Sequence, residues 1–248
     1  MPVELNIDLG ELPDEPEELY ALATVVNVAC GGHAGDVGSM AHAVERALAS
    51  GARLAAHPSY PDRPGFGRVS VPMAPSDLAA SLHAQCAALA GIARARGGAV
   101  RALKPHGALY HDAARSREVA LAVIAAASAL CQEAPERALV VVGPPGGALL
   151  EAARARGLAY AREGFADRAY RPSGGLVPRG EPGALLIEPA RCIAQALLLA
   201  RSGDVETICL HGDTPGALDR ARAVRHALET HGLLARPDEG GSMRPAGR

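Results

Sequence analysis

Thr24-Val25-Val26-Asn27-Val28-Ala29-Cys30-Gly31-Gly32-His33-Ala34-Gly35-Asp36 is the stretch on which the reading of the fold turns. A run rich in valine reads as a strand, the glycines behind it as a tight turn, and Asp36 as a cap for the helical periodicity of Gly38 to Ala49. Outward from this unit the same alternation recurs. Strands are expected at Val3 to Leu9, Thr24 to Ala29, Arg53 to Ala56, Val100 to Leu103, Ala138 to Val142, Leu158 to Arg162 and Glu206 to Leu210. Further helices are expected at Pro75 to Arg96, Arg115 to Cys131, Ala148 to Arg156, Pro189 to Ala200 and Gly216 to Thr230. Strands alternating with longer helices are the pattern of parallel strands joined by crossovers, an α/β fold.

At 248 residues the chain suits one barrel-sized domain, expected over 1–235, with a Gly- and Pro-rich mobile tail from Arg236 to Arg248. A hydrophobic fraction of 48% and a net charge of -2 exclude a disordered chain and give no electrostatic footprint for nucleic acid. No apolar run approaches the roughly 18 residues of a membrane helix. Five scattered cysteines form no Cys-x-x-Cys pair, and the first residues show no signal peptide, so a reducing, cytoplasmic setting is expected. The oligomeric state is open, a homo-oligomer included.

Polar residues collect where the strands end. Asp8 and Glu11 follow the first; Asn27, His33 and Asp36 end or follow the second; His57 follows the third; Lys104 and His106 the fourth; Glu163, Asp167 and Arg168 the sixth; His211 and Asp213 the seventh. In a parallel barrel or open sheet, the carboxyl ends of all strands open on one face, where ligands bind. One pocket is therefore expected to gather them. Among 25 basic residues Lys104 is the sole lysine, which singles it out for a role that an arginine does not fill. Asp8, His57, His106 and His211 together make a ligand set for a divalent metal, a question the wide spacing leaves open. Neither Gly31 to Asp36 nor Gly143 to Gly147 is a Walker loop.

Several ordered segments carry a resemblance. Leu5-Asn6-Ile7-Asp8-Leu9-Gly10-Glu11, Asn27 to Asp36, Ala56-His57-Pro58-Ser59-Tyr60-Pro61-Asp62 and Gly65-Phe66-Gly67-Arg68 resemble the LamB/YcsF family, the A subunits of bacterial 5-oxoprolinase. Lys104-Pro105-His106-Gly107-Ala108-Leu109-Tyr110, Glu163 to Tyr170, Leu176-Val177-Pro178-Arg179 and Cys209 to Pro215 continue it in order. The resemblance implies a seven-stranded parallel β/α barrel akin to the glycoside hydrolase/deacetylase barrels. It implies hydrolysis of 5-oxo-L-proline to L-glutamate coupled to hydrolysis of ATP, with B and C subunits as partners and the ATP site largely on them.

In that reading Asp8, Glu11, His57, Lys104, His106 and Asp213 are catalytic candidates. Asp8 or His106 positions or deprotonates water, and Lys104 stabilises the developing oxyanion. Asn27, His33, Asp36, Arg168 and His211 bind substrate, with Arg168 on its carboxylate. The chain departs from the family in a short run at Leu12 to Glu18, in Gly32, His111 and Gly175, and in a short connection before Val205. Two rivals remain: a stand-alone metal-dependent deacetylase or amidohydrolase on a related barrel, and a non-enzymatic accessory protein.

Overall fold

The computed structural model describes residues 1–133 and 138–235; the expected tail lies outside the described residues. Seven parallel strands close into a barrel in sequence order: β1 (Glu4–Leu9), β2 (Val25–Ala29), β3 (Arg53–His57), β4 (Val100–Leu103), β5 (Val140–Gly143), β6 (Ala159–Phe165) and β7 (Thr207–His211). Closure comes where β7 pairs with β1, Asn6 opposite Cys209 and Asp8 opposite His211. Around them lie α1 (Glu18–Leu22), α2 (Val37–Ser50), α3 (Pro75–Ala95), α4 (Gly107–Arg115), α5 (Arg117–Glu133), α6 (Ala148–Ala155), α7 (Pro189–Ser202) and α8 (Ala217–Thr230).

The two faces of each strand carry different chemistry. Leu5, Ile7, Leu9, Val26, Val28, Leu54, Leu103, Val141, Ile208 and Leu210 pack outward in the main core shared with the helices. Inward, Val25, Ala55, Ala102, Val140, Val142 and Ala161 form a separate apolar plug. Their small size follows from the count of strands, since a narrow barrel leaves little room along its axis. Above that plug the inward positions turn polar, with Asn6 and Asp8, Asn27, His57, Glu163, and Cys209 and His211 buried.

All seven expected strands are present. β6 runs to Phe165, beyond the expected Arg162, so Glu163 is an inward strand residue rather than a loop residue. Two helices escape the sequence reading. α1 has only five residues between Pro16 and β2, and α4 starts on Gly107 directly behind the polar turn of β4. The long β3–α3 and β6–α7 connections wall the carboxyl end of the barrel, the second tied by bridges between Arg168 and Leu185 and between Tyr170 and Leu176. No helix among the described residues is long and apolar enough to cross a membrane.

Gly107 joins these parts. Its φ is +57°, and a Cβ there would drive into the carbonyl of Gly67, which accepts a 2.9 Å hydrogen bond from the Ala108 amide. Gly107→Ala is therefore expected to lower the unfolding free energy by about 1–3 kcal/mol. Gly91, in mid-α3 with open space around its Cβ position, should behave oppositely, Gly91→Ala raising stability by about 0.5–1 kcal/mol. Chemical denaturation of the two variants checks both signs.

Candidate active site

The inward polar residues meet at the carboxyl end of the barrel, below a cavity of about 530 Å³. Asp8, His57, Lys104, His106, Phe165 and His211 line its depth, and Arg68, His111, Arg115, Arg168 and Arg179 line its walls and mouth.

Lys104 stands in the turn after β4, where Pro105 holds its backbone extended and Lys104 N donates to Ala56 O at 2.9 Å. Its side chain enters the barrel. Nζ lies 2.8 Å from Asp8 Oδ1, 3.0 Å from Glu163 Oε1, 3.2 Å from Asn6 Oδ1 and 3.0 Å from Cys209 Sγ. Burial opposes its charge, yet Asp8, Cys209 and Glu163 outweigh burial and hold the ammonium pKa well above its usual value. Burial likewise opposes ionisation of Asp8, but Lys104 and His57 keep its pKa well below the usual carboxylate range. For Glu163 burial wins over Lys104, and its pKa is raised. The centre thus holds a fixed ammonium and an ionised Asp8, whose Oδ1 also accepts from Asn27 at 2.7 Å.

A second group lies beside it. Glu11 sits in the loop after β1, which the Glu15 carboxylate organises by accepting from the amides of Gly10, Glu11 and Leu12 at 2.7, 2.8 and 3.1 Å. The short run that departs from the family is thus folded around one carboxylate. Glu11 Oε1 lies 3.0 Å from His33 Nε2, 3.3 Å from His106 Nδ1 and 3.8 Å from His57 Nε2. Burial works against its charge, and contact with His106 and His33 nonetheless lowers its pKa below the ordinary value. Burial pulls His33 down to about 4 and lowers His106 as well, so both imidazoles are neutral near pH 7. Their rings stack 3.6 Å apart.

On the far side, His211 Nδ1 is 3.0 Å from both carboxylate oxygens of Asp167, and its Nε2 lies 3.8 Å from Asp8 Oδ2. Burial disfavours the imidazolium, but Asp167 overcomes this and raises the His211 pKa. Arg168 donates to Val177 O at 2.7 Å, while its buried Nε has no partner.

The remaining candidates are placed as follows. Asn27 supports Asp8 from inside the barrel, and Asp213 lies at the rim, taking a 2.6 Å hydrogen bond from Arg179 and pairing with Arg68. Asp36 stands apart from the pocket. Its exposed carboxylate accepts from Ser39 N at 2.9 Å as the cap of α2. The glycine turn before it points its Gly31 and Gly35 carbonyls at Arg63, so its polar groups serve the fold. Sequence reasoning gathers Glu163 and Asp167 at the polar face without giving either a role, holds Arg179 only within a family motif, and leaves Asn6 and Cys209 out of the gathered set. The alternation Glu4, Asn6, Asp8 in β1 and Thr207, Cys209, His211 in β7 is the signal that would have put Asn6 and Cys209 on the inner face.

Removing the ammonium strands two buried carboxylates. Lys104→Met should cost about 3–5 kcal/mol of stability at neutral pH. Adding Glu163→Gln should return part of that loss, because it removes one of the uncompensated acids. Urea melts of the single and double variants measure the difference.

The LamB/YcsF family model matches residues 3–240. The A subunit of the 5-oxoprolinase of Chloroflexus aggregans is 45% identical, the alignment covering 94% of this chain and 98% of that protein. Its counterpart in Methylococcus capsulatus, also named as the A subunit of 5-oxoprolinase, is 45% identical over 93% of this chain and 94% of its own length. Among solved structures, the lactam utilization protein of Thermus thermophilus superimposes with a TM-score of 0.86 at 37% identity, covering 96% of this chain and 100% of that one. The catalytic domain of a peptidoglycan N-acetylglucosamine deacetylase from Eubacterium rectale, at TM-score 0.50 and 11% identity, shares the barrel fold alone. With matching motifs from β1 to the turn after β7 and a family match across nearly its whole length, this chain belongs to the LamB/YcsF family.

Proposed function

We propose that this chain is the A subunit of a 5-oxoprolinase, opening the lactam of 5-oxo-L-proline to L-glutamate with hydrolysis of ATP, in a cytoplasmic complex with B and C subunits. The observation that carries this reading is the pocket itself. An arginine with an unpartnered buried Nε faces the same cavity as an ionised aspartate and a histidine–aspartate pair. The near full-length similarity to relatives named as A subunits of 5-oxoprolinase supports it.

Lactam opening needs a positioned water, compensation for charge on the carbonyl oxygen, and a proton for the departing ring nitrogen. Asp8, ionised beside Lys104, orients the water and takes its proton. Lys104 contributes a permanent positive charge at the floor of the pocket rather than a proton, since its surroundings hold it protonated. His211, steadied by Asp167 and with a raised pKa, donates to the ring nitrogen. Arg168 takes the substrate carboxylate with its free donors. An unactivated amide is a poor electrophile, so transfer of the terminal phosphoryl group of ATP to the carbonyl oxygen prepares it for water; departure of the ring nitrogen then leaves γ-glutamyl phosphate, which a second water hydrolyses to L-glutamate and phosphate. The partner subunits hold ATP for that step, in keeping with the lack of a Walker loop in this sequence. The likeness to a solved deacetylase, at 11% identity, is one of fold alone.

Reconstitution with B and C subunits, following 5-oxoproline-dependent ATP hydrolysis and glutamate release, tests the proposal. The isolated chain should hydrolyse no ATP at a meaningful rate; robust ATPase activity from it alone would overturn the division of labour. Arg168→Ala should raise KM for 5-oxoproline on the order of 10–100-fold, as expected for losing a charged hydrogen bond in a buried site. Lys104→Arg should cost at least about tenfold in turnover, because a broad guanidinium does not fit where a compact ammonium meets four partners within 3.2 Å. Wild-type turnover in that variant would reduce Lys104 to a generic charge.

A further inference from the structure

His57 and His106 are held by their far nitrogens. His57 Nδ1 lies 2.8 Å from Lys104 O and His106 Nε2 lies 3.0 Å from Phe66 O. A carbonyl oxygen only accepts, so those nitrogens carry the hydrogens, and the rings' other nitrogens, His57 Nε2 and His106 Nδ1, face each other at 3.0 Å as the lone-pair positions. Glu11 Oε1 completes a triangle, 3.3 Å from His106 Nδ1 and 3.8 Å from His57 Nε2. Three buried acceptors face one point. Either a proton shared among them or a cation between them relieves the repulsion.

The dimensions favour the cation. Bonds of 2.0–2.2 Å from zinc to nitrogen and oxygen place tetrahedral ligand atoms about 3.3–3.6 Å apart. The observed edges of 3.0, 3.3 and 3.8 Å bracket that length, and the point equidistant from the three atoms lies about 2.0 Å from each. The outer contacts also match a metal site, in which each ligating imidazole donates its other N–H to a carbonyl or carboxylate. Phe66 is the one described residue other than glycine with positive φ, +54°, and this strained backbone presents the carbonyl that holds His106.

We propose that Glu11, His57 and His106 bind one divalent transition-metal ion with borderline nitrogen and oxygen preference, zinc or cobalt(II) among them, its open position facing the pocket beside Asp8. Asp8 Oδ2 stands 3.4 Å from His57 Nε2, placed to hold a water at that position. The ligand set differs from the one expected from sequence. His211 Nε2 lies outside the triangle, 3.8 Å from Asp8 Oδ2 on its far side, and Glu11 stands with His57 and His106 instead. This site goes beyond the 5-oxoprolinase reading, and its test is read without turnover.

The chelator-treated, full-length chain is titrated with cobalt(II), followed by its visible absorption, and with zinc by calorimetry. One equivalent of saturable uptake is expected, with the intense absorption of four- or five-coordinate cobalt and a metal-dependent rise in melting temperature. His106→Gln and Glu11→Gln should each weaken uptake at least tenfold while the far-ultraviolet circular dichroism stays native. If one variant fails to fold, the other and the wild-type titration still decide. Absence of saturable uptake by the wild-type chain overturns the site, leaving the triangle as a shared-proton network. Uptake unchanged in folded Glu11→Gln and His106→Gln places the metal elsewhere and overturns it equally.

Discussion

The architecture rests on one buried ammonium. A narrow parallel barrel has a polar upper interior only if the charges there compensate each other, and Lys104 is the group that does so. It reaches Asp8 and Asn6 from β1, Glu163 from β6 and Cys209 from β7. Because β1 and β7 are the strands that close the barrel, the same contact sits at the seam. Charge neutralisation inside the barrel depends on it, and its contacts span the two strands that close the barrel.

That ammonium sorts the surrounding acids. It keeps Asp8 ionised while Glu163, deeper and less compensated, has a raised pKa. Two neighbouring carboxylates on one cation thus differ in proton affinity because their environments differ. The same logic separates the histidines. His33, His106 and His211 are all buried beside an acid, but at His211 Asp167 outweighs burial and raises the pKa, whereas at His33 and His106 burial outweighs Glu11 and lowers it. A site able to donate a proton on one side and to offer bare nitrogen lone pairs on the other is the consequence.

The surrounding loops serve this division. Glu15 folds the short loop that carries Glu11, and the β3–α3 connection delivers the strained Phe66 carbonyl to His106. Arg68 stacks on the Phe66 ring at 4.8 Å and also pairs with Asp213, linking the His106 side of the pocket to the turn after β7.

Periodicity and ordered motifs are local properties of the chain, so the alternation of strands and helices, the face on which polar residues gather, and the family were all legible in the amino-acid sequence. Lys104, His57, His106 and Arg168 stood out there too. Asp36 was misjudged, although its helix-capping role is as local as any motif, and Glu163 was missed as an inward strand residue because β6 continues through Gly164 to Phe165. Which polar groups touch was settled by tertiary folding. Lys104 meets Asn6 across 98 residues of chain and Cys209 across 105, separations over which no sequence spacing carries geometry. The ionisation states and the triangle of Glu11, His57 and His106 arise only when barrel closure brings burial and opposite charge to the same few ångströms.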